Sequence, residues 1–313
     1  MAERAYLELL PDGSVVEETI DFDVHPLAIT HEVKPPVEED PNSSNAPADS
    51  GTAADAAQPA APKSIDTATG QEADPELSSE RVKEIFSTIS QKYERFNAVS
   101  SFGAYRTWLA DVVAKTPATA ESDMLDIAGG TGDVTFAVAR GKHPKHIQCT
   151  DLVNDMLDVA RAHYADGASD GVPVDFEVVD AQDIPYADAS YDIVTVAYGI
   201  RNMPERERAL SEMFRVLKPG GTLVCLEFSQ PENPVWHGLY DFYLKNMIPF
   251  WGGAITGDRD GFVYLSKSIK AFPDQRTFAR MFEDAGFTDV TWTNHTGGIA
   301  CIHVAHKPGD EAR

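Results

Sequence analysis

Short apolar runs alternate with amphipathic segments between residues 123 and 228. The runs predict β-strands, and the segments whose apolar residues recur at helical spacing predict helices. Strands are expected at 123–128, 146–150, 174–179, 191–197 and 222–228, with helices near 132–141, 154–164 and 205–217. A helix at 274–286 and two apolar runs, Asp289–Asn294 and Ile299–His306, follow. Strands joined by helices predict an α/β fold whose mostly parallel sheet has helices on both faces.

Other patterns precede this alternation. Val82, Ile85 and Ile89 recur at helical spacing, which predicts an N-terminal helical cap. Nearer the start of the chain, two alternating runs, Tyr6–Leu10 and Val15–Phe22, flank a turn sequence and predict a β-hairpin. The expected organisation is a short acidic extension at 1–33, a disordered acidic Pro/Ala-rich linker at 34–77, one domain at 78–307 and a loose tail at 308–313.

Residues 229–272 interrupt the alternation with an insertion rich in aromatic side chains. Trp236, Tyr240, Tyr243 and Met247 recur there at helical spacing, and such a stripe is usually the core-facing side of a helix. An aromatic insertion after the fifth strand also suits an apolar channel. We expect both roles, with one face packing on the sheet and part of the rest lining a pocket.

The chain is strongly acidic, with a formal net charge of −24 over 313 residues. Residues 1–79 contain 17 acidic and 3 basic side chains, and the remainder contains 33 acidic and 23 basic ones. Because contact with a phosphate backbone requires a basic surface, nucleic acid is not an expected partner.

The three cysteines, Cys149, Cys225 and Cys301, lie far apart, in or beside apolar runs. They form no CxxC or Cys/His motif, so buried reduced thiols are expected and a metal site is not. No apolar run approaches the length of a membrane span, and the N-terminus lacks the features of a signal peptide. These features predict a soluble, cytoplasmic protein.

The apolar run Met124–Ala128 ends at Gly129-Gly130-Thr131-Gly132, and an amphipathic segment follows at once. This pattern predicts a buried strand, a tight turn and the start of a helix. Glycine lets backbone N–H groups approach a ligand, and the helix N-terminus favours negative charge. Phosphate loops, dinucleotide folds and methyltransferases all use such a turn, so the turn alone leaves the ligand open.

The neighbouring strand ends favour one of these ligands. Asp151 ends the second strand, 19 residues after Gly132, at the spacing of an acidic residue that reaches a ribose hydroxyl. Asp180 and Ala181 follow the third strand, where an acidic group suits an adenine amino group. Asp133 puts a carboxylate where a pyrophosphate would lie, and like-charge repulsion disfavours a dinucleotide. S-adenosylmethionine, with its sulfonium and ammonium groups, is therefore the favoured cofactor.

Stretches spread from about Ser79 to Lys307 match one enzyme family. They are Lys92-Tyr93 with Phe96-Asn97, Ser101–Gly103, Leu125–Asp133, Tyr198–Asn202, Arg215–Gly221, Leu226–Ser229, Phe272–Gln275 and Thr296–Gly298. In these stretches the chain resembles the ubiquinone/menaquinone biosynthesis C-methyltransferase family. Many class I methyltransferases share the glycine turn and the Lys-Pro-Gly-Gly sequence, whereas Gly199–Asn202 and Leu226–Ser229 are more specific. The resemblance implies a class I S-adenosylmethionine-dependent methyltransferase fold, Rossmann-like, with a seven-stranded, mostly parallel sheet.

The resemblance, together with the strand ends, also indicates the cofactor-binding residues. They are Gly129, Gly130, Thr131, Gly132, Asp151, Asp180, Ala181, Ala197 and Tyr93. Ala197 departs from family members that have serine there, so a hydroxyl contact is lost while the backbone can still contribute. Tyr93 lies in the cap that is expected to close over the cofactor carboxylate, although a buried tyrosine also serves in a core.

The reaction that the family implies transfers a methyl group to a ring carbon of a prenylated quinol. That carbon becomes nucleophilic as the adjacent hydroxyl loses its proton. Arg201 is expected to stabilise the developing phenolate, and the alternative for it is a structural salt bridge. Asn202 is expected to orient the same group or to cap the following helix. Tyr198 is expected to pack on the cofactor or to donate to the quinol.

Three further polar residues are assigned structural roles. His295 and His303 lie in the last strand region, where a histidine is more often structural than a general base. Asp126 precedes the glycines and is expected to pin the turn rather than to bind the ligand.

The overall prediction is methylation of demethylmenaquinol to menaquinol, with peripheral contact at the inner face of the membrane. The Cys225–Gln230 and Pro249–Gly253 stretches resemble the menaquinone branch. The alternatives are the ubiquinone branch, another small aromatic acceptor, or a non-catalytic binding protein on the same fold. The sequence indicates no oligomeric state.

Overall fold

The computed structural model describes the backbone at residues 4–9, 15–20, 83, 87, 101–256 and 259–309. The chain divides into two compact units, Met1–Ala60 and Ala61–Arg313. In the first unit, β1 (Arg4–Leu9) pairs antiparallel with β2 (Val15–Ile20), where the two alternating runs predicted strands. The predicted linker and Tyr93 lie outside the described residues, and of the first cap helix only residues 83 and 87 are described, both of them helical.

The described part of the second unit alternates helices and strands. In chain order these are α1 (Tyr105–Lys115), β3 (Asp123–Ile127), α2 (Asp133–Lys142), β4 (His146–Asp151), α3 (Asn154–Ala165), β5 (Val174–Val178), β6 (Tyr191–Ala197), α4 (Arg206–Val216), β7 (Leu217–Phe228), α5 (Pro234–Phe242), α6 (Ile248–Thr256), α7 (Arg259–Ala271), α8 (Gln275–Asp284), β8 (Thr288–His295) and β9 (Ala300–His306). A 3-10 turn at Ile200–Asn202 precedes α4, another at Thr296–Gly298 joins β8 to β9, and a π-helical turn at Tyr243–Met247 joins α5 to α6.

The strands of the second unit form one seven-stranded sheet in the order β5-β4-β3-β6-β7-β9-β8. The first five are parallel, and β9 runs antiparallel between β7 and β8. The order reverses direction at β3, because β4 lies on one side of it and β6 on the other. The carboxyl ends of β3 and its neighbours therefore open a crevice, which is where parallel sheets bind ligands.

Apolar side chains cover both faces of this sheet. Leu125 and Ile127 pack into one cluster with residues of α4 and α8, whereas Met124 packs into a second cluster with residues of α1, α2 and α3. This division follows from the alternation of side chains along a strand. The cysteines predicted to be buried are buried and free in the structure.

The aromatic insertion folds as α5, α6 and α7 and has a core of its own. Tyr240, Leu244, Phe262, Tyr264 and other apolar residues form this cluster, which packs against Phe228 at the end of β7. Among the described residues, no helix has both the length and the apolar character needed to cross a membrane.

One sequence prediction of an element is wrong. The fifth strand is predicted at 222–228, but β7 in the structure already begins at Leu217 and contains a bulge over Leu217–Gly221. Tyr191 pairs with Leu217 and Ile193 already pairs with Thr222, so three extra residues bulge from β7. Gly220 (φ +79°) and Gly221 form backbone hydrogen bonds with Lys307, and these bonds keep the stretch in the sheet.

Candidate active site

The glycine turn lies at the carboxyl end of β3, where Gly129, Gly130 and Thr131 line a cleft. A Cβ atom on Gly129 would come within 2.6 Å of the Cys149 Sγ atom. Gly132 has φ +92°, and a Cβ atom there would lie 2.2 Å from a ring carbon of Phe136. Both positions therefore require glycine for the turn to reach helix α2 in this conformation.

Asp126 pins this turn from below, as the sequence predicts. Its fully buried carboxylate accepts hydrogen bonds from the hydroxyls of Thr135 at 2.5 Å and Thr195 at 2.6 Å. The two bonds tie β3 to α2 and to β6. Burial raises the pKa of Asp126 to about 6, and the two threonine hydrogen bonds oppose that increase. Asp126 also lines the cleft, which the sequence does not anticipate.

Asp151 closes the other side of the turn. One carboxylate oxygen accepts the Gly130 backbone N–H at 2.9 Å, and the other accepts the Val153 N–H at 2.9 Å. Burial raises the pKa of Asp151 to about 6, and these backbone bonds lower it in part. Each carboxylate oxygen has a further lone pair that can accept a ligand hydroxyl.

The rest of the cleft matches a cationic adenosyl ligand better than a pyrophosphate. Asp133 and Asp180 line it with Asp151, so several carboxylates face the ligand space. Asp180 is held in place because it accepts hydrogen bonds from the Gln182 backbone N–H (2.9 Å) and side-chain amide (3.1 Å). Apolar side chains, including Met156, lie among these acids. A sulfonium, an ammonium and ribose hydroxyls fit this lining, and a pyrophosphate does not.

The end of β6 supplies the opposite wall of the cleft, where Ala197, Tyr198, Gly199 and Asn202 line it. Tyr198 has φ +55°, which is uncommon for a bulky residue. The centroid of its ring lies 4.8 Å from the centroid of the Phe228 ring. Ala181, the residue after Asp180, also lines the cleft, and its contact with the cofactor stays a prediction.

Asn202 contacts a residue that the sequence does not connect to it. Its side-chain oxygen accepts the Tyr264 hydroxyl at 3.3 Å, and its amide nitrogen lies 3.5 Å from the Tyr198 carbonyl oxygen. The alternative that Asn202 caps the next helix is wrong, because α4 begins at Arg206 and its N-cap is Glu205.

Arg201 is completely buried beneath this wall and is not among the residues that line the described cleft. Its guanidinium pairs with Glu227 at 2.8 Å and also donates to the Tyr198 carbonyl. The Arg201 backbone N–H donates to the other Glu227 oxygen at 3.2 Å. The salt bridge that the sequence allows for Arg201 is therefore present, and its role in catalysis stays a prediction.

Glu227 is the ionic partner of Arg201, and the sequence analysis assigns it no role of its own. It is a lone carboxylate within the apolar strand run Leu223–Phe228, and a charge in such a run predicts a buried partner. Neither His295 nor His303, the two histidines of the last strand region, lines the described cleft. His295 pairs with Asp111 at 3.0 Å, and burial among aromatic rings lowers the pKa of His303 to about 4.

Solved structures with the same fold include proteins described as methyltransferases. A protein of Thermotoga maritima, described as a possible histamine N-methyltransferase, superposes with a TM-score of 0.53 and 20% identity, covering 72% of this chain and 99% of that one. A phosphoethanolamine N-methyltransferase of Haemonchus contortus, solved with S-adenosylhomocysteine, superposes with a TM-score of 0.52 and 16% identity, covering 72% and 60%. These likenesses confirm the predicted class I methyltransferase fold.

Relatives identified by sequence share a higher identity with this chain than these solved structures do. A protein of Roseobacter denitrificans described as "Ubiquinone/menaquinone biosynthesis C-methyltransferase UbiE" is 42% identical over 227 residues, which is 72% of this chain and 90% of that protein. A protein of Francisella tularensis with the same description is 36% identical, and the match covers 74% of this chain and 93% of that protein.

The model of the ubiE/COQ5 methyltransferase family matches residues 75–307, which include every described residue of the cleft. With the fold, this match confirms S-adenosylmethionine as the cofactor that the sequence predicts. The chain belongs to the ubiE/COQ5 methyltransferase family.

Proposed function

We propose that the protein methylates a ring carbon of a prenylated quinol, and that its substrate is demethylmenaquinol, the precursor of menaquinol. The observation that supports this proposal is the position of Asn202. It lines the cofactor cleft and also bonds to Tyr264 of the aromatic insertion, so the donor site and an apolar region meet at one residue.

S-adenosylmethionine supplies an electrophilic methyl group on a sulfonium. Transfer is an in-line displacement, so holding the acceptor carbon against the cleft contributes much of the rate. The acceptor carbon gains electron density as its neighbouring hydroxyl loses a proton. A donor or a fixed positive charge near that oxygen stabilises the transition state.

Asn202 and Arg201 are the residues that we assign to this oxygen. Asn202 lines the cleft, and its amide nitrogen has a hydrogen to donate beyond its long contact with Tyr198. Arg201 lies behind the wall, fixed by Glu227, so its charge acts on the oxygen through space rather than by contact. Burial strengthens such a charge because little water screens it.

The apolar tail of the acceptor requires a hydrophobic path to the cleft. The insertion supports this requirement, because its apolar cluster packs against Phe228, whose ring lies 4.8 Å from that of Tyr198 in the cleft wall. The choice of the menaquinone branch over the ubiquinone branch is the more specific part of the proposal. It rests on the resemblance of Cys225–Gln230 and Pro249–Gly253 to that branch, whereas the relatives' descriptions name both quinones.

We also propose that a cytoplasmic enzyme takes this acceptor from the inner face of the membrane. Val235, Leu239 and Phe242 follow one another at helical spacing on α5, with 74%, 56% and 62% of their surfaces exposed. Flotation with phosphatidylethanolamine/phosphatidylglycerol vesicles measures this contact. Leu239→Glu is expected to weaken vesicle binding, and unchanged binding would remove α5 from the contact.

The test of function is incubation with labelled S-adenosylmethionine and either short-tailed demethylmenaquinol or the corresponding ubiquinone precursor, followed by mass analysis. A product gaining one methyl group from demethylmenaquinol alone is expected. Methylation of the ubiquinone precursor instead would refute the branch, and methylation of neither would refute the quinol acceptor.

Two sets of variants test the residues. Asp151→Ala and Gly130→Val are expected to abolish cofactor binding measured by calorimetry, and wild-type affinity in both would refute this site. The pair Arg201→Met/Glu227→Leu removes both charges of the ion pair, so neither is left buried without its partner. It is expected to keep cofactor affinity and to methylate at least about tenfold more slowly, whereas unchanged turnover would remove Arg201 from the mechanism.

A further inference from the structure

We propose that Tyr264 is a positioning residue for methyl transfer. Its hydroxyl fixes the side-chain amide of Asn202 so that the amide presents N–H, and not C=O, to the oxygen of the acceptor ring. The proposal rests on the proposed function, because that function supplies the ring oxygen.

The contact joins two distant parts of the chain. The Tyr264 hydroxyl donates to the Asn202 side-chain oxygen at 3.3 Å, across 62 positions of sequence, and the bond is buried. Tyr264 lies on α7, which packs against the 3-10 turn that carries Asn202. Tyr264 is only 8% exposed, so little bulk water competes for its hydroxyl.

The orientation of the Asn202 amide follows from its two partners. The Tyr198 backbone carbonyl can only accept, so the Asn202 amide nitrogen faces it, at 3.5 Å. At that distance the contact is weak. The Tyr264 hydroxyl holds the opposite, oxygen side of the amide. The Tyr264 contact, at 3.3 Å, is the shorter of the two restraints on the orientation.

The chemical consequence concerns the sign of the dipole that meets the ring oxygen. The two ends of an asparagine amide have nearly the same shape, so a half-turn of the group meets little steric resistance. After such a turn, the carbonyl oxygen would face the developing phenolate and repel it. With its oxygen bonded to Tyr264, the amide donates, and donation stabilises the charge that develops in the transition state.

Tyr264 also belongs to the apolar core of the insertion, together with Leu244, Ile248 and Phe262. The same helix therefore contributes to the apolar region proposed for the acceptor tail and orients the amide at the ring. Tyr264 does not line the described cleft, so its hydroxyl is not expected to contact the cofactor.

The experiment compares Tyr264→Phe, which removes only the hydroxyl, with the wild-type full-length protein. We expect kcat for short-tailed demethylmenaquinol to fall about three- to tenfold, the loss of one neutral hydrogen bond. The Kd for S-adenosylmethionine is expected to stay unchanged. In an Asn202→Ala background, Tyr264→Phe is expected to cause no further loss of kcat, because residues that act through one contact are not additive.

Ser266→Ala is the matched control on the same helix. The Ser266 hydroxyl is also buried, and the acceptors of its hydrogen bonds are the Leu244 carbonyl at 2.7 Å and the Phe262 carbonyl at 3.0 Å rather than Asn202. Its removal is expected to leave kcat unchanged, even if the melting temperature falls as much as in Tyr264→Phe.

Three outcomes would overturn the proposal: an unchanged kcat in Tyr264→Phe, additive losses in the double variant, or an equal loss of kcat in Ser266→Ala. Weakened cofactor binding in Tyr264→Phe would also overturn it, since that result indicates a distorted fold. A wild-type protein that methylates neither quinol precursor refutes the proposed function itself, whereas an active wild type with an equally active Tyr264→Phe refutes only the role of Tyr264.

Discussion

Replacing Glu227 with glutamine is expected to be among the most destabilising single changes in the sheet. Glu227 is 1% exposed, and its two carboxylate oxygens accept three hydrogen bonds. The donors are the Arg201 guanidinium at 2.8 Å, the Arg201 backbone N–H at 3.2 Å and the Phe228 backbone N–H at 2.8 Å. In either orientation, a glutamine amide turns an NH₂ group toward at least one of these donors.

The magnitude follows from the burial of both charges. Arg201 and Glu227 side chains are 0% and 2% exposed, so removing the carboxylate leaves a guanidinium charge without its buried partner. Breaking a buried pair from one side costs about 3–5 kcal/mol. For a domain of this size, that loss corresponds to a fall in melting temperature of roughly 6–20 °C.

The assay is thermal and urea unfolding of the full chain at neutral pH, followed by circular dichroism and tryptophan fluorescence. Asp188→Asn is the matched control, since it makes the same chemical change in an exposed pair. Asp188 lies 2.8 Å from the Arg215 guanidinium but its side chain is 78% exposed, so the cost is expected to stay below about 1 kcal/mol.

Two results would refute this reasoning. One is a loss in Glu227→Gln no larger than in Asp188→Asn, which would mean that water or another group replaces the carboxylate. The other concerns Arg201→Met/Glu227→Leu, which removes both charges and is expected to be more stable than Glu227→Gln. A double variant less stable than Glu227→Gln would show that packing, and not charge, dominates at this position.

Three further predictions follow from other contacts. Gly132→Ala is expected to abolish S-adenosylmethionine binding in calorimetry, because the new Cβ would lie 2.2 Å from a ring carbon of Phe136 at a residue with φ +92°. Burial raises the pKa of Asp126 to about 6 from 3.8, so the folded chain retains this proton to higher pH than the unfolded chain. The stability that this carboxyl contributes is therefore largest below about pH 4 and is lost as the pH rises through about 6. In urea titrations, the free energy of unfolding of Asp126→Asn is expected to fall less over that pH range than that of the wild type. Lys307→Met is expected to cost about 1–3 kcal/mol in thermal unfolding, because the ammonium donates to the carbonyls of Phe214 at 2.7 Å and Leu217 at 2.6 Å.

Each of these has an opposing result. Wild-type cofactor affinity in Gly132→Ala would mean that the turn adapts without loss. Parallel stability profiles for wild type and Asp126→Asn would show that Asp126 does not change its ionisation in that window. Unaltered unfolding of Lys307→Met would mean that water satisfies the end of α4 equally well.

Local patterns of apolar and polar residues were sufficient to predict most of the helices and strands. The strand at 191–197 is predicted to the residue, because a buried parallel strand is a continuous apolar run bounded by polar turns. The helices near 132–141 and 154–164 shift by only one residue at their ends. The start of the fifth strand was predicted too late for a physical reason. Gly220 and Gly221 indicate a turn, whereas in the structure Leu217 pairs with Tyr191 and both glycines bond to the distant Lys307.

The position of the cleft was also predictable from the sequence. Glycines at a strand-to-helix turn and an acidic residue at the next strand end are local signals, and parallel topology brings such ends to one edge. Gly130 and Asp151 accordingly meet at 2.9 Å. The contacts of the residues assigned to the acceptor were harder to predict from the sequence, because the partners are far apart in the chain.

The sequence by itself determined the elements, the sheet and the donor cleft, because periodicity, glycine and strand-end carboxylates act over a few residues of chain. Only the tertiary structure decided that Arg201 is buried against Glu227 and that Asn202 bonds to Tyr264. Those pairings depend on how β6, β7 and α7 pack together. A side chain's charge and hydrogen-bonding capacity can be inferred from its type, but its partner is set by which other elements come within about 3 Å of it.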